Sequence, residues 1–187
     1  MAPRKVLIAV DTSEASTYAF EWALKNFVRK AVPSDKGLTS ASEGDHVVVL
    51  SVVHVPQIKL LSFGYFGAEG QWEKTLEHAT KAAEQHLTDL RAKADTLGMQ
   101  VSTESRPGDP RDVIIDYIHL IKADIVIVGA GGDSAGEGAS LKKKLTVGSI
   151  SDHVVHHSEV PVLVIRKCPP KWKGEFSGAD LMGSGVP

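Results

Sequence analysis

Short apolar runs alternate with segments of helical periodicity along the chain. Residues 5–11, 46–55 and 123–128 are almost continuously apolar, which is typical of strands buried on both faces of a parallel sheet. Residues 160–166 form a further apolar run, whereas residues 99–106 alternate weakly and indicate a more exposed strand. The pattern therefore predicts five strands.

Capping residues mark the helices that lie between these strands. Thr12 and Ser13 offer an N-cap to the first helix, and Gly98 ends a long second helix. Asp109 is followed by Pro110, a pair that is typical of an N-cap and the first helical residue. The four predicted helices occupy residues 15–27, 72–97, 110–121 and 149–157.

The order of these elements predicts the fold class. Strict alternation of strand and helix implies an α/β domain with a five-stranded parallel sheet, right-handed crossovers and two helices on each face. A chain of 187 residues suffices for one such domain with its own core. In open sheets of this kind, ligands bind beyond the carboxyl ends of the strands, where the strand order reverses. Candidate functional residues are therefore those that directly follow strands.

Composition and charge narrow the choice of partners. The chain is 42% hydrophobic and 24% charged with a net charge of −2, so no basic excess suggests nucleic acid. Cys168 is the only cysteine, and a lone cysteine cannot form an internal disulfide. The run 47–55 is far shorter than the ~20 residues of a membrane helix, and residues 1–5 lack the features of a signal peptide. We expect a cytoplasmic protein with no nucleic-acid or membrane partner.

The segment after the fourth strand carries the most informative chemistry. Residues 129–132 read Gly-Ala-Gly-Gly, and after fifteen further residues Gly148 and Ser149 stand at a helix start. Glycines allow a backbone to approach a ligand closely, and a helix N-terminus attracts phosphate. The lysines at 142–144 would add positive charge. The alternative is a surface loop before a capped helix, because Ser149 and Asp152 have capping-box spacing.

Several motifs, taken together, resemble those of the universal stress protein family. In chain order they are KVLIAVD-x-S at 5–13, GDPRDVI at 108–114, VIVG at 126–129 with Gly132, GSIS at 148–151 and VPVLVI at 160–165. The resemblance extends over residues 4–167 and implies a Rossmann-like fold of the adenine nucleotide alpha hydrolase-like type. Residues 168–187 have little periodicity and are predicted to form a flexible tail.

The resemblance also implies an adenine-nucleotide site that holds ATP, with or without Mg²⁺. In members that bind ATP, the acid after the first strand contacts the ribose, which corresponds to Asp11. Neighbouring residues and a valine after the second strand line the adenine pocket, and the glycines and the Gly-Ser pair hold the phosphates. The implied binding residues are Ala9, Val10, Asp11, Val55, Val128, Gly129, Gly131, Gly132, Gly148, Ser149, Ile150 and Ser151.

One spacing departs from the family pattern. Fifteen residues separate Gly132 from Gly148 here, whereas the family pattern has nine, so six residues are inserted within 133–144. The ends of the motif are intact. An insertion that bulges outward would preserve the site, but the insertion would otherwise block the site or add contacts to it.

Two functions from different classes follow. The first is an ATP-binding protein that acts as a nucleotide-dependent switch or sensor in stress response, with at most slow ATP hydrolysis. The second is an interaction module of the same fold that does not bind nucleotide. In either case the apolar fifth strand is predicted to lie at a sheet edge, and the resemblance implies that it pairs with a second copy in a homodimer.

The histidines do not change this interpretation. His153 and His157 have the i,i+4 spacing of metal ligands, but without an intervening carboxylate motif they are interpreted as part of a solvated helix face. His54 lies within a predicted buried strand and is interpreted as a core residue. No serine, histidine and acid are placed by sequence as a hydrolase triad, and no catalytic residue is assigned.

Overall fold

The computed structural model describes residues 3–31, 44–54, 69–131 and 148–167. Within these ranges the chain forms five strands and four helices in strict alternation. In chain order they are β1 (Lys5–Val10), α1 (Glu14–Asn26), β2 (His46–His54), α2 (Glu69–Thr96), β3 (Val101–Gly108), α3 (Pro110–Ile121), β4 (Ile125–Gly129), α4 (Ser149–His157) and β5 (Val162–Ile165).

The five strands form one parallel sheet in the order β3-β2-β1-β4-β5. The chain builds the sheet outward from β1 through β2 to β3, then returns across the sheet to place β4 on the other side of β1. The strand order therefore reverses between β1 and β4, where Ala9 lies beside Val128 in register. This arrangement confirms the predicted five-stranded parallel sheet.

Two helices cover each face, as predicted, because the side chains of β1 alternate between two cores. Val6, Ile8 and Val10 pack in one core with residues of α1 and α2. Leu7 and Ala9 pack in the other core with residues of α3 and α4. Burying one large apolar side chain contributes about 1.5–3 kcal/mol, so the alternating pattern of β1 stabilises both helical layers.

Helices α3 and α4 have the predicted bounds, whereas the other element boundaries differ from the predictions by a few residues. Helix α2 begins at Glu69, upstream of the predicted start, and ends at Thr96. Strand β3 is shifted toward its carboxyl end and runs to Gly108, whose φ of +145° suits glycine alone. Strand β5 begins only at Val162, because the preceding Pro161 has no N–H to donate to a ladder.

The interpretation of His54 as a core residue was wrong. His54 is the last residue of β2, lies beside Gly108 in register, and its side chain is exposed. The strand β2 continues to His54, but the helices that cover the sheet do not bury this last residue. An exposed histidine at the carboxyl end of a strand belongs to the edge of the sheet where ligands bind.

At the opposite edge of the sheet, Asp45 joins two cations. Its side chain is inaccessible to solvent and accepts hydrogen bonds from the backbone and guanidinium groups of Arg4 and Arg29, at 2.6 Å and 2.7 Å for the two closest. Burial alone would raise the pKa of Asp45, but the bonds from Arg4 and Arg29 outweigh it and hold the pKa well below its usual range. Asp45 is therefore ionised and fully paired.

In the part of the chain that the structure describes, no helix is long and apolar enough to cross a membrane.

Candidate functional site

The candidate site lies at the carboxyl ends of β1 and β4, where the strand order reverses. In open α/β sheets this reversal leaves a crevice between the loops that leave the two strands in opposite directions. Asp11 directly follows β1, and Gly129 is the last residue of β4. The fold therefore brings the two segments that the sequence singled out to the same edge of the sheet.

Gly129 allows the first turn of α1 to lie against the end of β4. A Cβ at Gly129 would lie only 3.0 Å from the carbonyl oxygen of Ala15 and 3.1 Å from the Cα of Ser16. Both neighbours are backbone atoms, which cannot move aside as a side chain would. The glycine thus fixes how closely the N-terminus of α1 approaches the candidate site.

Gly131 and Gly148 are in backbone contact with each other. A Cβ on Gly148 would lie 2.9 Å from both the Cα and the carbonyl oxygen of Gly131. In the reverse direction there is more room, since a Cβ on Gly131 would lie 3.5 Å from the Cα of Gly148. The two residues that flank 132–147 therefore meet, and the position of the α4 N-terminus is set by this contact.

Within the described residues, no side chain caps the N-terminus of α4. Its N-cap is Gly148, which has extended backbone angles and provides no side-chain cap. The first N–H groups of a helix have no partner within the helix, so those of Ser149, Ile150 and Ser151 point outward from the first turn. Ser149 and Ile150 are exposed, whereas Ser151 is buried. This turn offers backbone donors and the positive end of a helix dipole to an anion.

The capping-box prediction for Ser149 and Asp152 was wrong. The helix starts one residue earlier than that motif requires, so Ser149 is its first residue rather than its N-cap. The contact between Gly131 and Gly148 explains the shift, because only a glycine fits at the cap position. Ser151 turns its hydroxyl back to donate to the Gly148 carbonyl oxygen at 3.0 Å. The Ser149 hydroxyl is thus not used to cap the helix.

Asp11 is held by the turn that follows it. Its Oδ1 accepts hydrogen bonds from the backbone N–H of Ser13, at 2.9 Å, and from the Ser13 hydroxyl. The hydroxyl of Ser16 donates to the Asp11 carbonyl oxygen at 2.6 Å and lies 3.1 Å from the Asp11 N–H. The carboxylate is exposed, and among the described residues Oδ2 has no hydrogen-bond partner. One oxygen of Asp11 therefore braces the turn, while the other accepts no hydrogen bond from the described part of the chain.

Ala9, Val10 and Val128 differ in where they lie. Ala9 and Val128 are neighbours in register and share the core beneath α3 and α4. Val10 belongs to the core on the opposite face, beneath α1 and α2. Val55 and Gly132 lie outside the described residues. The roles of all these residues toward a ligand stay predictions.

Sequence reasoning missed the bracing of Asp11 at this edge of the sheet. Ser13 and Ser16 were not singled out as site residues, although the spacing Asp-x-Ser-x-x-Ser at 11–16 would have suggested a braced turn. Asp109, by contrast, was predicted as the N-cap of α3, and the structure confirms it and pairs Asp109 with Arg111 at 2.6 Å. The side-chain hydrogen bond from Arg111, with the bond from its backbone N–H, holds the pKa of Asp109 well below its usual range.

The described residues contain no group of three or more histidine, cysteine, aspartate or glutamate side chains placed to hold a metal ion. His153 and His157 stack with ring centroids 3.9 Å apart and planes 13° from parallel. Metal binds in the plane of each imidazole, so two stacked rings do not point their nitrogens at one ion. This geometry agrees with the interpretation of the pair as part of an exposed helix face.

The parallel sheet, its reversal of order between β1 and β4 and the two helical layers define the class: this is a Rossmann-like α/β domain. The family model described as the universal stress protein family matches residues 3–166. The chain therefore belongs to the universal stress protein family.

Relatives and solved structures agree with this assignment. Universal stress protein MJ0531 of Methanocaldococcus jannaschii is 25% identical over 150 residues, which are 76% of this chain and 85% of that protein. The structure of universal stress protein UspA from Lactobacillus plantarum has a TM-score of 0.63 at 21% identity and is covered completely, over 89% of this chain. A universal stress protein family protein from Arabidopsis thaliana with AMP bound has a TM-score of 0.58 at 21% identity, covering 90% of this chain and 97% of that one. At these identities the structural matches support the fold.

Proposed function

We propose that this universal stress protein binds ATP in the crevice between β1 and β4 and acts as a nucleotide-dependent switch or sensor in stress response. The observation that carries the proposal is the backbone contact between Gly131 and Gly148. It holds the open N-terminus of α4 at the point where the sheet order reverses, even though six residues are inserted between the glycines. A phosphate chain is the ligand that such a turn suits best.

The ribose end of the ligand is assigned to Asp11. Its Oδ2 is without a partner among the described residues and can accept from a ribose hydroxyl. Ala9, Val10 and Val128 are proposed to line the adenine pocket, together with Val55 outside the described residues. Hydrogen bonds to a charged acceptor contribute about 1.5–3 kcal/mol each, so this one contact accounts for a factor of at least ten in affinity.

The phosphate end is assigned to the α4 turn and the glycines before it. The proposed ligands are the backbone N–H groups of Ser149, Ile150 and Ser151 and the exposed Ser149 hydroxyl, which is not used as a helix cap. Gly129, Gly131 and Gly132 are proposed to lie along the phosphates and to approach them through their backbones. Mg²⁺, where it accompanies ATP, would be held mainly by the phosphates, since the described residues offer no metal-binding cluster.

The nature of the nucleotide is supported by a relative. The Arabidopsis thaliana protein with AMP bound shares this fold, and AMP has the base, the ribose and the first phosphate of ATP. The choice of ATP rests on the length of the glycine-rich segment and on the donors of the α4 turn, which exceed the needs of a single phosphate.

Assembly is part of the proposal. Strand β5 is the last strand of the sheet, and Val162, Leu163 and Val164 are only partly buried there. We propose that β5 pairs antiparallel with β5 of a second copy about a two-fold axis, which would cover this apolar edge. Light scattering at tens of micromolar, on the full chain and on a form that ends at Lys167, tests it. Monomers at both lengths would contradict the dimer.

The second candidate is an interaction module that has lost nucleotide binding, and the inserted residues within 133–144 favour it. Mass spectrometry of the small molecules released when the purified protein is denatured separates the two. An adenine nucleotide in a constant ratio to protein supports the first function. Protein that carries no nucleotide and takes up none during dialysis against ATP supports the second.

A further inference from the structure

The turn between β1 and α1 contains a chain of hydrogen bonds that ends on Asp11. The N–H of Ser16 donates to the Ser13 Oγ at 3.2 Å, and the Ser13 hydroxyl in turn donates to Oδ1 of Asp11. The backbone N–H of Ser13 donates to the same oxygen at 2.9 Å. A hydroxyl has one proton to donate and two lone pairs that accept, so the Ser13 hydroxyl can donate to Asp11 and still accept from the Ser16 N–H.

Ser13 therefore has two tasks, of which capping α1 is only the first. As N-cap it accepts from the Ser16 N–H, a task for which an aspartate or an asparagine side chain would also serve, and a glycine at this position costs little helix stability. The second task requires a proton, because Asp11 is an acceptor. Both bonds from Ser13 go to Oδ1, so the carboxylate is held in one orientation and Oδ2 is the oxygen that remains for a ligand.

The backbone of Asp11 is fixed as well. Ser16 is 5% exposed and its hydroxyl contacts both the carbonyl oxygen and the N–H of Asp11. Gly129 packs against Ser16 and Ala15, so the turn is supported from β4 too. An acceptor whose backbone and side chain are both fixed before binding needs no ordering when the ligand arrives, which favours affinity and selectivity.

We infer that Ser13 is a positioning residue that makes the site selective for ribonucleotides over deoxyribonucleotides, by presenting Oδ2 of Asp11 to a ribose hydroxyl. The inference rests on the proposed nucleotide function and adds to it a residue and a class of ligand. In this inference the Ser13 hydroxyl acts only through Asp11 and does not contact the nucleotide.

The test compares the affinities for ATP and for its 2′-deoxy and 3′-deoxy analogues by titration calorimetry. In the wild-type protein we expect ATP to bind at least about tenfold more tightly than the analogue that lacks the bonded hydroxyl. Ser13→Gly keeps a good N-cap residue but removes the donor, and we expect the ratio to fall below about threefold. Ser13→Thr keeps both the cap and the donor and should retain the wild-type ratio.

A double-mutant cycle separates positioning from folding. Asp11→Ala should abolish the preference for ATP, and Ser13→Gly added to Asp11→Ala should change the ratio no further, because both substitutions act through the same carboxylate. A merely structural role for Ser13 would lower the affinities for ATP and for the analogues by the same factor.

The outcomes are distinct. Equal losses for all nucleotides, or an unchanged ratio in Ser13→Gly, would overturn the inference while ATP binding stands. Wild-type protein that binds ATP and both analogues equally would show that Asp11 does not contact the ribose. That outcome, too, would overturn the inference while ATP binding stands. Wild-type protein that binds none of the three would overturn the inference and the proposed function together.

Discussion

At the amino end of the sheet the segment 32–43 is flanked by Ala31 and Gly44, and at the carboxyl end the segment 132–147 is flanked by Gly131 and Gly148. In both places the flanking backbones touch, and a glycine allows them to do so. A Cβ on Gly44 would collide with the backbone of Ala31 and lie 2.8 Å from the Arg29 carbonyl oxygen. At both ends of the sheet, therefore, the two residues that flank a long segment are in backbone contact, and a glycine makes that contact possible.

The two ends differ in whether the polar groups near these backbone contacts are paired. At the amino end, the buried Asp45 receives bonds from two arginines and leaves no oxygen unused. At the carboxyl end, one oxygen of Asp11 has no bond among the described residues, and the first turn of α4 lacks a side-chain cap. Paired groups stabilise the fold, whereas groups that are fixed but unpaired are available to a ligand. The comparison supports a stabilising role for the amino end and is consistent with the binding role proposed for the carboxyl end.

The largest expected effect is on stability at the amino end. Asp45→Ala should lower the free energy of unfolding by about 3 kcal/mol, because it removes the buried carboxylate that accepts hydrogen bonds from both Arg4 and Arg29. Each arginine is about one third exposed, which places the loss at the low end of the range for buried pairs. Urea denaturation measures it, and Glu21→Ala is a matched control, since the exposed pair of Glu21 with Lys93 contributes less than about 1 kcal/mol. A change below 1 kcal/mol for Asp45→Ala would refute the structural role of this end.

The next effect is on binding at the carboxyl end. Gly148→Ala places a Cβ 2.9 Å from the Gly131 backbone and must displace the α4 turn. The loss of one or two phosphate bonds should weaken ATP binding by roughly 30-fold or more. Gly131→Ala is the matched control, because its Cβ has 3.5 Å to the same partner, and it should cost less than about fivefold. Calorimetric titration of the two variants checks this order, and equal affinities would argue against a phosphate site at α4.

Asp11→Ala is expected to have a smaller effect on binding than Gly148→Ala. It removes one acceptor for the ribose and should weaken ATP binding roughly tenfold. It also removes the acceptor of the two Ser13 bonds, so a modest loss of stability is expected with it. Affinity measured under conditions where the variant is fully folded isolates the first effect. An unchanged affinity would remove Asp11 from the site.

The smallest expected effect comes from shortening the inserted segment. Removing six residues within 133–144 should change the free energy of unfolding by roughly 0.5 kcal/mol or less, because closure entropy depends only weakly on length. The contact between Gly131 and Gly148 should persist, so ATP affinity should remain close to that of the full chain. Loss of binding in a folded, shortened protein would show that the insertion itself supplies contacts.

The fold was predictable from the sequence because its signals are local and repeated. Apolar runs such as 123–128 give the buried strands, and caps such as Ser13 and Asp109 give the helix starts. Boundaries were less accurate for strands, since β3 is shifted and β5 begins later than predicted. The predicted bounds of α4 were correct, but its cap was not: the contact of Gly148 with Gly131, which no local capping motif contains, makes Gly148 the N-cap instead of Ser149.

The candidate site was predictable only in outline. The strand ends and the glycines marked the end of the sheet where the order reverses between β1 and β4, because topology alone places them there. The bracing of Asp11 by Ser13 and Ser16 was missed, because Ser13 was interpreted only as an N-cap and the spacing of Asp11, Ser13 and Ser16 was not considered. The exposure of His54 was missed because strand periodicity does not reveal where the covering helices end.

Titration of nucleotide-free protein with ATP by isothermal calorimetry tests the central claim most directly. The account predicts saturable binding of about one ATP per chain, weakened far more by Gly148→Ala than by Gly131→Ala. The account would be contradicted by protein that gives no binding heat, with or without Mg²⁺ and at several temperatures, although urea denaturation shows that it is folded.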